Sequence, residues 1–163
     1  MSIRILHFSD LHLSGDAEKQ INTSTRLGFL FNSIVKLQES DGKRVDIVVF
    51  TGDLIDKGGK DFSTITDGFQ AFKDQVLTPL TDKAGIQPDR IVFLPGNHDT
   101  QSSDIKEMRD KRNLLEDYPH SSEREINSIL NISNGDKELV IKRTKEFKRF
   151  ELEYFSHYKH FFI

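Results

Sequence analysis

Three short polar clusters, each directly after an apolar run, hold most of the side chains that could do chemistry. The first is Asp10 and His12 in "SDLHL", the second Gly52 and Asp53 in "TGDLID", the third Gly96, Asn97, His98 and Asp99 in "PGNHD". Carboxylates, an amide oxygen and imidazoles are ligands for divalent cations, and no sulfur competes with them, because the chain has no cysteine. Asp10 and His12 are two apart, so on a continuing strand they would point the same way and could chelate one cation. Asp53 could share its carboxylate between two cations, with Gly52 letting the backbone come close. Asn97 offers a neutral carbonyl oxygen to the second. Two cations about 3.5–4 Å apart can clamp a phosphate and activate water for in-line displacement. His98 could protonate a leaving oxygen, and Asp99 could hold its ring in the useful tautomer. Each cluster alone is ordinary, since such residues cap helices and shape turns. Their joint occurrence, in order, at three successive strand ends is the informative signal.

The elements that must position them follow from hydrophobic periodicity. Residues 3–9, 45–51 and 90–95 read as short buried strands. Residues 23–40 read as a helix capped by Thr23 or Ser24, and 62–80 as a second helix that Pro79 stops. Strand, helix, strand, helix, strand argues for an α/β layered fold with parallel strands and right-handed crossovers. In such a sheet the carboxyl ends of the strands line one crevice, so the three clusters converge.

Beyond residue 100 the composition changes. "DIKEMRDKRNLLEDY" and "SEREINSILNI" read as helical, and "ELVI" at 138–141 is the only strand-like run. Residues 144–163 read as a helix carrying Phe147, Phe150, Tyr154, Phe155, Tyr158, Phe161 and Phe162. Its periodicity predicts core packing, and the alternative is a surface for docking or self-association. The expected organisation is therefore residues 1–99 as a β-α-β-α-β unit and residues 100–163 as a mainly helical cap or insertion.

With 163 residues and a formal charge of -3, the chain carries no global basic field for nucleic acid or an anionic membrane. It shows no signal-peptide pattern and no apolar run long enough to span a bilayer. A cytoplasmic location fits the absence of cysteine. One basic run, with Lys137, Lys142, Arg143, Lys145, Lys148 and Arg149, could track phosphates. Glu138, Glu146, Glu151 and Glu153 are interleaved with it or follow it, which favours a solvated helix face.

"DLH", "GD" and "GNHD" in this order resemble the calcineurin-like metallophosphoesterase family, over about residues 3–99. The resemblance implies a pair of packed mixed sheets flanked by helices, with a dinuclear site at the strand ends. It implies two divalent ions, whether manganese, iron, zinc or nickel, and a phosphate-ester substrate. Asp10 and His12 would bind the first ion, Asp53 would bridge, and Asn97 would bind the second. His98 would be the proton donor or transition-state stabiliser, supported by Asp99. "FSDLHL" is most similar to bacterial phosphodiesterases of the cyclic-nucleotide type. The family also uses a later lone histidine and a closing Gly-His-x-His, and neither is found in the sequence. His7 is expected to be a hydrogen-bonded core residue and His120 a surface one, while His157 and His160 fall on a helix. The expectation is thus the first part of a longer enzyme, weak in cation binding and hydrolysis by itself. A nuclease, or a non-catalytic metal-binding or docking module, is the alternative.

Overall fold

The computed structural model describes residues 3–100 and 134–156, with side chains of the last stretch described from Thr144 onward. The chain divides into two compact units, residues 1–101 with 144–163, and residues 102–143. In the first unit, β1 (Ile5–Phe8), β2 (Ile47–Phe50) and β3 (Ile91–Phe93) form a parallel sheet in that order. Leu6 pairs with Val48 and Phe8 with Phe50; Val48 pairs with Ile91 and Phe50 with Phe93. Among the described residues this is the single sheet, and no second one packs on it.

Helix α1 (Ala17–Asp41) makes the first crossover. It starts six residues before the periodicity suggests. Asp16 caps it, its carboxylate accepting the Lys19 N–H at 3.0 Å. The buried stripe begins only at Leu27, so the first turns leave no apolar signature. Gly42, at φ 65°, ends it in the left-handed conformation usual after helices.

The second crossover is α2 (Ile65–Phe72), a wide turn at Lys73–Leu77, and α3 (Thr78–Asp82). Pro79 does not stop the helix. It sits in the first turn of α3, and the preceding Thr78 N–H reaches back five residues to the Lys73 carbonyl. Proline has no N–H to give and its ring crowds the preceding turn, so a locally widened turn accommodates it.

The "ELVI" run is helical, not extended: α4, the fourth described helix, covers Asn134–Ser156. Its aromatic face serves the N-terminal unit. Phe150 stacks on Phe69 at 5.1 Å between ring centres, and Tyr154 meets Phe93 edge-on at 5.5 Å. Phe147 is fully buried, and Phe155 lies against Phe93. These contacts use the aromatics as core. Tyr158, Phe161 and Phe162 lie outside the described residues, as do the two runs read as helices between 104 and 132.

The two faces of the sheet differ. Leu6, Phe8, Val48, Phe50, Ile91 and Phe93 face the helices, and Phe50 stacks on Phe8 while touching Phe72 and Phe93. On the other face, Ile5 is 60% exposed, Val92 46% and Leu94 52%, with Ile47 beside them. The strands are therefore buried on one side rather than two. His7 is on this exposed face, its Nε2 at 2.7 Å from the Thr51 hydroxyl; it is hydrogen-bonded as expected, but not in the core.

Candidate metal centre

The β1–β2 ladder does not end where the strands do. Thr51 N–H donates to the Phe8 carbonyl at 3.0 Å, Asp10 N–H to Gly52 at 3.2 Å, His12 N–H to Asp53 at 2.9 Å and Leu13 N–H to Leu54 at 3.0 Å. The loop after β1 is thus registered on the loop after β2. It is not a continuing strand, however. Asp10, His12 and Asp53 have φ of 55°, 46° and 54°, in the left-handed region. Such conformations cost of order 1–3 kcal/mol each in residues other than glycine and cluster at functional sites. The expected strand alternation is therefore replaced by two left-handed kinks, which fold Asp10 and His12 back toward β2.

The loop after β3 is fitted by glycine contact and by one buried carboxylate. A Cβ on Gly52, at φ 106°, would meet Gly96 Cα at 2.6 Å, and one on Gly96 would meet Asp53 Oδ1 at 2.1 Å. Only glycine admits this approach. Asp99 is fully buried. Its Oδ1 accepts the Leu54 N–H at 2.7 Å and the Ile55 N–H at 3.1 Å, and its Oδ2 accepts the Gly96 N–H at 2.9 Å. Burial pushes its carboxyl above the ordinary aspartate range, opposed by those three N–H groups and reinforced by the nearby Asp53 charge. Asp99 therefore ties the β3 loop to the β2 loop and does not touch the His98 ring, contrary to the role expected of it. The sequence gives no sign of this, because its partners are all main-chain groups.

The side chains converge within this frame. Ligand atoms of His12, Asp53 and His98 lie within 4.8 Å of one another. His12 Nε2 is 3.8 Å from Asp10 Oδ1 and 4.0 Å from Asp53 Oδ2. The His12 and His98 rings stand edge-on, 4.7 Å apart at 77°. Asp53 Oδ1 accepts the His98 N–H at 3.0 Å, which leaves Oδ2 turned to the cluster. Asp10 is the most exposed of the set, with Oδ2 taken by the Ser9 hydroxyl. Asn97 is exposed on the loop after β3, its main-chain oxygen accepting the Thr100 hydroxyl at 2.9 Å.

Asp56, which residue type and spacing alone did not single out, lies close to both imidazoles. Its Oδ1 is 3.2 Å from His98 Nδ1 and 3.8 Å from His12 Nδ1. The signal that could have found it is its place three residues after Asp53, on a loop that the glycines turn back.

The cluster fits a divalent cation. Its donors are oxygen and imidazole nitrogen only, the set that suits manganese, iron, zinc or nickel. Asp10 and Asp53 both face His12 Nε2, an assembly of like charge that a cation would relieve. His12 Nδ1 is buried without a hydrogen-bond partner, 3.8 Å from the carboxylate best placed to receive its proton once Nε2 is a ligand.

Two cations of the basic run are ion-paired. Lys148 pairs with Glu151 at 2.6 Å, and Arg149 with Glu153 at 2.8 Å and with Glu146 at 3.8 Å. No described helix is long and apolar enough to cross a membrane.

Comparison with known proteins agrees with the geometry. The family model for calcineurin-like phosphoesterases matches residues 3–160. The chain is 31% identical over 101 residues to a protein of Rhodococcus erythropolis named as a probable cyclic nucleotide phosphodiesterase. That match takes in 61% of this chain and 29% of the relative's length. The chain belongs to the calcineurin-like phosphoesterase family.

Proposed function

We propose that this calcineurin-like phosphoesterase chain carries the cation-binding part of a metal-dependent hydrolase of phosphate esters, phosphodiesters favoured over monoesters. The observation that supports it best is the meeting of His12, Asp53 and His98 from three separate strand ends within 4.8 Å. The name of the Rhodococcus erythropolis relative favours a phosphodiester. Against the nuclease alternative stand the ion-paired Lys148 and Arg149.

In this reading Asp10 and His12 hold the first ion, Asp53 is shared, and Asn97 serves the second. The ions, when bound, polarise the phosphoryl group and lower the cost of activating water. The residues do the rest. Asp53 Oδ1 orders the His98 main chain while Oδ2 stays available. Asp99 holds the loops that carry Asp53 and His98 together by accepting the Leu54 N–H of one and the Gly96 N–H of the other. His98, in this reading, gives a proton to the leaving oxygen. The described residues offer three ligands for one ion and two for the other, counting Asp53 twice. Cation affinity and hydrolysis by this chain alone are accordingly weak, and further imidazole ligands complete the dinuclear centre. The lack of cysteine accords with a reducing cytoplasm.

The test is manganese content and manganese-dependent hydrolysis of a chromogenic phosphodiester, for this chain and for Asp53→Asn. Manganese bound by the parent and largely lost in the variant is expected. Equal content in both would remove Asp53 from the centre, and no binding by either would overturn the reading.

A further inference from the structure

Helix α1 buries Leu27, Phe31 and Ile34 and turns its opposite side to water. Along that outward side run Glu18, Asn22, Thr25, Phe29, Asn32 and Lys36, all exposed. Their spacing alternates four and three, the repeat at which two helices lie along one another. Phe29 stands in the middle of the row, 71% exposed, and Ile21 flanks it at 70%. No charge interrupts the helix between Arg26 and Lys36. The aromatics of α4 meet the core, whereas this ring meets nothing of comparable size.

The row is complementary to itself in one orientation. Two copies can pack α1 against α1, antiparallel, about a two-fold axis level with Leu27. Each Glu18 then meets Lys36 of the second copy, each Asn22 meets Asn32, and each Phe29 meets Thr25. Arg26 falls level with Gly28, where the space a side chain would take is open. Moving the axis to Phe29 would set that ring on its own copy and Lys36 on Asn22. Moving it to Phe31 would set Lys36 on Arg26, a like-charge contact. Only the first register joins opposite charges and places the large residue on a small one.

Two further observations suit this pairing. Glu18 and Lys36 have no ion-pair partner among the described residues, whereas Lys148 and Arg149 of α4 are paired within their own helix. The Thr25 hydroxyl donates to the Ile21 carbonyl at 2.9 Å, and the Ser33 hydroxyl to the Phe29 carbonyl at 2.9 Å. Covering these hydroxyls therefore strands no donor.

We propose that the outward side of α1 is the interface of a homodimer, two copies of the helix packing antiparallel with Phe29 over Thr25 and Glu18 against Lys36. Such an interface is isologous, the same patch serving both copies. From Glu18 to Lys36 the contact is about 27 Å long at the rise of an α-helix. One helix pair of that length falls at the low end of specific interfaces, so the dimer forms as concentration rises.

The test is sedimentation equilibrium of the cation-free chain from micromolar to millimolar concentration, with circular dichroism to confirm folding. The parent should pass from monomer to dimer, and Phe29→Asp should stay monomeric. Glu18→Lys and Lys36→Glu should each weaken the dimer by about tenfold, because two exposed pairs become repulsions. The double variant, with the charges exchanged, should recover most of that loss. A parent that is monomeric throughout would overturn the proposal. So would a dimer indifferent to Phe29→Asp, as association through the exposed sheet face would be, or a double variant as weak as either single one. If Phe29→Asp does not fold, the parent and the charge exchange decide alone.

Discussion

Below the sheet, aromatic rings pack on aromatic rings; at the carboxyl ends of the same strands, main-chain hydrogen bonds hold acids and imidazoles in conformations they otherwise avoid. Phe50 touches Phe8, Phe72 and Phe93, all in unstrained strands or helices. Asp10, His12, Asp53 and Lys57 are all left-handed. The first region asks only for apolar volume. The second asks for particular atoms at particular places, and depends on the stability of the first to keep them there.

That contrast makes the two regions separable. Phe50→Ala should cost about 3–5 kcal/mol by opening a cavity, read as a lower denaturant midpoint. Cation affinity of the molecules that remain folded should not change. Asp99→Ala should cost about 3 kcal/mol or more, since three main-chain N–H groups lose their acceptor, and should also weaken cation binding. It is the residue at which the separation breaks.

Asp99 also carries a pH signature. Its carboxyl is raised on folding, so the native state holds that proton more tightly than the unfolded chain. Parent stability relative to Asp99→Asn, measured without cation, should therefore fall as pH rises from the ordinary aspartate range through the raised folded value. A difference that rises with pH would mean that the three N–H bonds outweigh burial.

Gly96→Ala sharpens the contrast from the other side. Its methyl would collide with the Asp53 carboxylate, so about 1–3 kcal/mol of overpacking strain is expected, with manganese affinity falling by about tenfold or more. Calorimetric titration beside a thermal melt separates the two effects. The smallest effect belongs to the exposed face: Val92→Thr should change stability by about 0.5 kcal/mol or less, because its side chain stands largely in water. A loss comparable to that of Phe50→Ala would mean that this face is covered in solution.

Much of the frame was legible in the residues. Short apolar, β-rich runs placed the three strands, and helical spacing placed Phe147, Phe150 and Tyr154 against a core. The start of α1 was not legible, because it is set by one capping bond from Asp16 and not by apolar spacing. At the site, residue types pointed to Asp10, His12, Asp53, Asn97 and His98 and to the chemistry they suit. How Asp10 and His12 converge was not legible, since positive φ follows from long-range main-chain bonding. The same holds for Asp99, whose partners Leu54, Ile55 and Gly96 are identified by their amides and not by their side chains. Asp56 was not singled out because its meaning arises only when the fold sets it near both rings.

The uncovered side of the sheet has a practical consequence. Ile5, Ile47, Val92 and Leu94 are exposed on one face of the sheet, with His7 among them. Sulfate and phosphate strengthen association of such surfaces. Concentrated preparations of this chain will therefore meet a colloidal limit before a conformational one, turning cloudy in strong sulfate while circular dichroism of the supernatant stays native.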